Sequence, residues 1–256
     1  MTSPPPSDIA IRASGLHKHF GGVAALDDFS ISVGDREIRC VVGPNGAGKS
    51  TLFKVLAGLE RPDAGDVQIL GLRTTGLPAR EVARLGVATK LQTPRIFPSL
   101  TVREHLGLAA RASQRVHQLL GLGRRSESVQ VDQLVDELIE ELGLAGSRDR
   151  VADELSHGES QWLEIVMMLS TRPKILLLDE PGAGMAQEEK VRTATLLRRL
   201  AESVTLLVIE HDLAFVQLIA HKVMVMHRGR LLTEGSFDEI SSNEDVRRVY
   251  LGSSYG

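Results

Sequence analysis

The chain has 256 residues, enough for one large domain or for a core carrying an inserted subdomain. Its 30 Lys and Arg against 33 Asp and Glu leave a formal charge of −3, which gives no pull toward nucleic acid or another polyanion. The single Cys40 excludes an internal disulfide, and no apolar run approaches the roughly 20 residues that span a bilayer. Residues 1–8 lack the basic and apolar segments of a signal peptide and read as a disordered tail, so a cytoplasmic protein is expected.

Ile9–Ala13 and Phe29–Val33 read as strands. Between them Phe20 precedes Gly21-Gly22, where an aromatic can stack on a purine or simply join a core. His17 and His19 have nothing nearby to complete a metal site. Glu37–Val42 is a predicted strand and Ser50–Leu59 a predicted helix, with Gly43-Pro44-Asn45-Gly46-Ala47-Gly48-Lys49-Ser50-Thr51 between them. This fits the phosphate-loop pattern, Gly43, Gly48, Lys49 and Ser50 holding the fixed positions. Glycines let successive N–H groups converge on phosphate oxygens, and the helix adds its positive end. Lys49 would neutralise outer phosphates and the Ser50 hydroxyl would ligate Mg²⁺.

Arg61–Gly65 is turn chemistry, Val67–Leu70 a short strand and Ala79–Leu85 a short helix. Val87–Gln92 enters a loop broken by Pro94 and Pro98. Residues 101–155 read as mostly helical, with a connection at Gly121–Ser126. Leu134, Leu138 and Leu142 form one face there, and Asp136, Glu137, Glu140 and Glu141 a solvated one. Leu155-Ser156-His157-Gly158-Glu159 opens an apolar helix. Its Ser and Gly make an anion site, and Ser156 with Glu159 also make a capping box; both readings can hold. Ile175–Leu178 reads as a strand buried on both faces, ending in Asp179-Glu180. Two acids at a buried strand end need partners: a metal for Asp179, and a water for Glu180 to polarise as general base. Val204–Ile209 ends in Glu210-His211-Asp212, which places His211 to meet a γ-phosphate. Val223–Met226 and Arg230–Leu232 suggest a hairpin, and Ser236–Glu239 a second capping box starting a helical end.

Taken together, Phe20, Gly43–Thr51, Gln92, Leu155–Glu159, Ile175–Glu180 and His211 resemble the ATP-binding-cassette ATPase family over roughly residues 9–252. The resemblance implies an α/β fold: a phosphate-loop NTPase core (9–92 and 166–235), an N-terminal antiparallel β subdomain, an inserted α-helical subdomain (about 93–165) and a helical tail (236–252). It implies ATP and Mg²⁺ as cofactors. Phe20 stacks on adenine; Ser50, Gln92 and Asp179 attend the metal; Glu180, His211 and Gln92 serve catalysis. Two ATPase subunits pack head to tail, so that Ser156, His157, Gly158 and Glu159 of one complete the other's site. Within the family the chain looks like the importer ATPases for branched-chain amino acids, and among them the urea or short-chain-amide type. Leu91–Phe97, Leu155–Ile165, Asp179–Met185 and Val249–Gly252 carry that likeness. It implies two permease subunits, a second ATPase, an external solute-binding protein and a peripheral place on the cytoplasmic face of the inner membrane. Departures are His157 for the usual Gly, Glu159 for Gln, Trp162 for a common Arg and Ala186 for the usual Asp, which bear on how two sites communicate. A soluble cassette protein of DNA repair or the ribosome is the competing reading; one cassette and net acidity speak against it.

Overall fold

The computed structural model describes residues 9–90, 96–109, 139–140 and 144–252. Two long strands open the chain, β1 (Ile9–Phe20) and β2 (Val23–Gly34), paired antiparallel out to Phe20↔Val23. Both run well past the expected segments. Register shifts after Ala13, Leu16 and Lys18 take the apolar residues off a strict period of two, which hides the strand from pattern reading. Gly21 and Gly22, both at positive φ, make the turn. Then follow β3 (Ile38–Val42), helix α1 (Lys49–Leu56), β4 (Ala64–Ile69), β5 (Leu72–Arg73), helix α2 (Ala79–Arg84) and β6 (Val87–Lys90). Gln92 lies outside the described residues, as do residues 1–8, Gly121–Ser126 and the Leu134, Leu138, Leu142 face. Of the stretch expected to be mostly helical, residues 102–109 are helix, but Ala145–Ser147 and Ala152–Glu154 are 3₁₀ turns and Thr101 bridges Val151.

Helix α3 (His157–Leu169) leads into β7 (Ile175–Asp179), α4 (Gln187–Ala201), β8 (Thr205–Ile209), α5 (Leu213–Ile219), β9 (Lys222–His227), β10 (Arg230–Gly235), α6 (Phe237–Ser242) and α7 (Glu244–Gly252). The strands form two sheets. One is antiparallel, in the order β2-β1-β4-β5; the other runs β10-β9-β3-β8-β7-β6 and is parallel except at β10.

The parallel strands are buried on both faces, and their alternating residues divide between two cores. Cys40, Val42, Leu176, Leu178, Leu206 and Val208 pack with α3, α4 and α5. Val41, Ile175, Leu177, Leu207 and Ile209 pack instead with α1 and the antiparallel sheet. The sheet is therefore a rigid plate between two layers. Its C-terminal edge, where β3, β7 and β8 all end, is the place such sheets offer ligands.

Candidate nucleotide site

The phosphate loop leaves β3 at Gly43 and enters α1 through Gly48, the N-cap, at φ 104°. A Cβ on Gly43 would sit 2.3 Å from the Met226 carbonyl oxygen, and one on Gly48 2.2 Å from that of Ala25. Only glycine fits between backbones this close. Gly229, in the β9–β10 turn, donates its N–H to Ala47 O at 2.9 Å and braces the loop from outside. Lys49 Nζ donates to Gly43 O at 2.6 Å and Pro44 O at 3.0 Å. Burial lowers its pKa, while the charges of Glu180 and Asp179 oppose that fall.

Asp179 closes β7 at 6% exposure. Burial, then the charge of Glu180, pushes its carboxyl up to about 6, and Lys90 and Lys49 pull the other way. Its Oδ1 has no hydrogen-bond partner among the described residues. An orphaned buried carboxylate oxygen facing a phosphate loop that carries the Ser50 hydroxyl is a hard oxygen set that suits Mg²⁺. No cluster of three His, Cys, Asp or Glu occurs among the described residues. Such a metal would therefore lean on nucleotide phosphates.

Glu180 adopts φ 50°, a strained position for a residue with a side chain. Its N–H donates to Ile209 O at 2.9 Å, tying the strained residue to β8. Its Oε1 lies 3.2 Å from His211 Nδ1. Glu210 stands behind them, a residue that sequence reasoning passed over as a neighbour of His211. It is buried, and its Oε1 accepts the Gly182 N–H at 2.9 Å while Oε2 accepts that of His211 at 3.2 Å. Burial raises its pKa and these amides lower it. Glu210 thus fastens the turn after Glu180 to the strand that presents His211. Phe20, at the end of β1, is 49% exposed, with Lys18 Nζ 5.2 Å from its ring centroid.

Lys49, Asp179, Glu180 and His211 therefore converge on one sheet edge. Ser156–Glu159 stand apart: among the described residues no hydrogen bond or ion pair joins them to the phosphate loop. Ser156 caps α3 and the capping box with Glu159 is complete, at 3.1 and 2.7 Å. Glu159 also accepts from Arg150 at 3.1 Å, so its carboxylate is engaged inside its own subunit. The Ser156 hydroxyl reaches Glu189 Oε1 at 3.4 Å, and the Glu189 carboxylate lies directly over Gly158. Trp162 is buried, its indole N–H donating to Thr193 on α4 at 2.9 Å.

The model of the family described as ABC transporter matches residues 26–183, and that described as branched-chain amino acid ATP-binding cassette transporter matches residues 230–256. The chain belongs to the ABC transporter family. As an ABC ATPase it hydrolyses ATP. It is 36% identical to the high-affinity branched-chain amino acid transport ATP-binding protein LivG of Salmonella typhimurium, covering 94% of this chain and 97% of LivG. To BraF of Pseudomonas aeruginosa it is 35% identical at the same coverage. The crystal structure of the ADP conformation of an ATP-binding cassette superimposes with a TM-score of 0.82 at 30% identity, covering 96% of this chain and all of that one. A nucleotide-free cassette gives 0.80, also at 30% identity. The ABC ATPase fold thus has the expected antiparallel sheet beside a phosphate-loop core. No helix among the described residues is long and apolar enough to cross a membrane.

Proposed function

We propose that the chain is the motor subunit of an importer for branched-chain amino acids or urea and short-chain amides. The relatives named for branched-chain amino acid transport, together with the matching C-terminal segment, support branched-chain amino acids as the solute; urea and short-chain amides rest on the sequence likeness alone. The partners in this reading are two permease subunits, a second ATPase packed head to tail and, indirectly, an extracytoplasmic solute-binding protein. The chain sits peripherally on the cytoplasmic face of the inner membrane, and the groove formed by Ile96, Pro98, Ala152, Leu155 and His157 faces the permease.

One observation carries the chemistry: Glu180, twisted to φ 50° beside a buried Asp179, lies 3.2 Å from His211. ATP lies with its phosphates in Gly43–Thr51 and its adenine on Phe20. Lys49 exchanges its two loop carbonyls for phosphate oxygens. Glu180 takes a proton from the attacking water, the water oxygen bonds to the γ-phosphorus, and ADP departs. His211 holds the γ-phosphate, and Ser156 and Gly158 of the other subunit close over it. Ser50, Asp179 and Gln92 would hold Mg²⁺, which would supply positive charge to offset that of the phosphates.

Two experiments test this reading. In the first, Glu180→Gln keeps ATP binding while turnover falls about 100-fold or more; near-normal turnover removes Glu180 from the base role. In the second, a tagged chain is purified from gently solubilised native membranes. Co-purification of two multi-span permeases and a second cassette supports the importer, whereas recovery of soluble partners alone refutes it.

A further inference from the structure

Helix α3 buries two polar side chains among apolar neighbours. Gln161 and Glu164 are three positions apart, hence on one side of the helix, and are 3% and 7% exposed. Packed with Trp162, Leu163, Ile165 and Val166, an amide and a carboxylate are costly unless tied. Each is tied to a different wall of the nucleotide site. Gln161 Nε2 donates to Ala183 O at 2.9 Å and to His157 Nε2 at 2.8 Å. The His157 ring in turn rests on Gly184, where an added Cβ would come within 2.9 Å of it. Ala183 and Gly184 form the turn directly after Glu180. On the other side, Glu164 Oε2 lies 3.5 Å from Lys90 Nζ, whose side chain is 1% exposed. Lys90 ends β6 two residues before Gln92 and pairs with Leu178 beside Asp179.

We propose that Gln161 and Glu164, with Lys90, are positioning residues that make α3 a relay between two ATP sites. They fix the helix whose N-terminus serves the partner's nucleotide to the two segments that hold this subunit's own. The proposal rests on the reading that Ser156 and Gly158 act across the dimer. It also accounts for two departures from the usual family pattern. Ala186 offers no side-chain group to signal through, and His157 joins the same turn from the other direction.

A pair that merely fills space behaves differently from a relay. Removing one member of a buried ion pair destabilises, whereas replacing both with apolar residues generally restores stability. The test uses the full chain carrying Glu180→Gln, with the ATPase that co-purifies with it. Lys90→Met/Glu164→Leu and, separately, Gln161→Met are added. Thermal midpoint, ATP affinity and ATP-dependent dimerisation by light scattering are measured. The double variant keeps its midpoint within a few degrees and its ATP affinity within about twofold, yet needs at least about tenfold more protein to dimerise. Gln161→Met shows the same split between binding and dimerisation, and it carries the test should the double variant fail to fold. Parent-like dimerisation in folded variants shows that these residues only pack, and overturns the proposal. A parent that never dimerises with ATP strikes instead the reading that Ser156 and Gly158 act across subunits, and the relay with it.

Discussion

The phosphate loop and the Ser156–Glu159 turn each set a glycine at or just inside a helix start, yet their glycines are confined by different things. Gly43 and Gly48 are pressed by carbonyl oxygens of Met226 and Ala25, part of a backbone that cannot yield. Gly158 is pressed by the tip of one side chain, the Glu189 carboxylate, 2.4 Å from where a Cβ would stand. The first site is shaped before any nucleotide arrives. The second holds a carboxylate of its own subunit, which also accepts the Ala186 N–H at 2.9 Å, at the helix end that takes a phosphate in the proposed function, so only a side-chain rotation separates the two states. In the proposed function, rigidity serves the half that binds ATP, and an exchangeable anion serves the half that closes on it.

The comparison can be broken first at its rigid side. Gly48→Ala puts a methyl group into the Ala25 carbonyl at φ 104°, and ATP affinity by titration calorimetry falls about 100-fold or more. On the movable side, Ser156→Ala leaves ATP binding to the single subunit intact but lowers turnover of the dimer about tenfold. It also costs about 1 kcal/mol in urea unfolding through the lost cap. Glu189→Gln keeps the side chain's shape and removes its charge; ATP-driven dimerisation tightens by about threefold, an effect of about 0.7 kcal/mol. A loosened dimer there would show that the carboxylate supports closure.

The smallest effect concerns pH. Asp179 holds its proton more tightly in the fold, at about 6, than in the unfolded chain. Between about pH 4 and 6 the folded state therefore binds more protons, and stability falls as pH rises through that window. Asp179→Asn flattens this slope and makes the nucleotide-free chain more stable at pH 7 by about 1–2 kcal/mol, as measured by urea unfolding.

What the sequence revealed tracks how local each device is. The phosphate loop, the Ile175–Leu178 run and both capping boxes are consecutive residues whose types are set by their neighbours, and each lies where expected. The far halves of β1 and β2 escaped because bulges scramble their alternation. Lys90 and Glu164 are 74 positions apart in the sequence, and nothing local to either says that they pair; only the packing of β6 against α3 brings them together. Glu189 stands in the first turn of α4 and Glu210 just after β8, and nothing in either stretch says which way its carboxylate turns.

Cys40 sits at the centre of β3, fully enclosed, and burial drives its thiol well above the ordinary range. As the chain's one sulfhydryl, it is inert to alkylating reagents while the plate is intact and reacts once β3 is exposed. The molecule thus carries its own clock for opening. The rate at which this thiol is labelled, with and without ATP, reads directly how much the nucleotide slows the unfastening of the strand that feeds the phosphate loop.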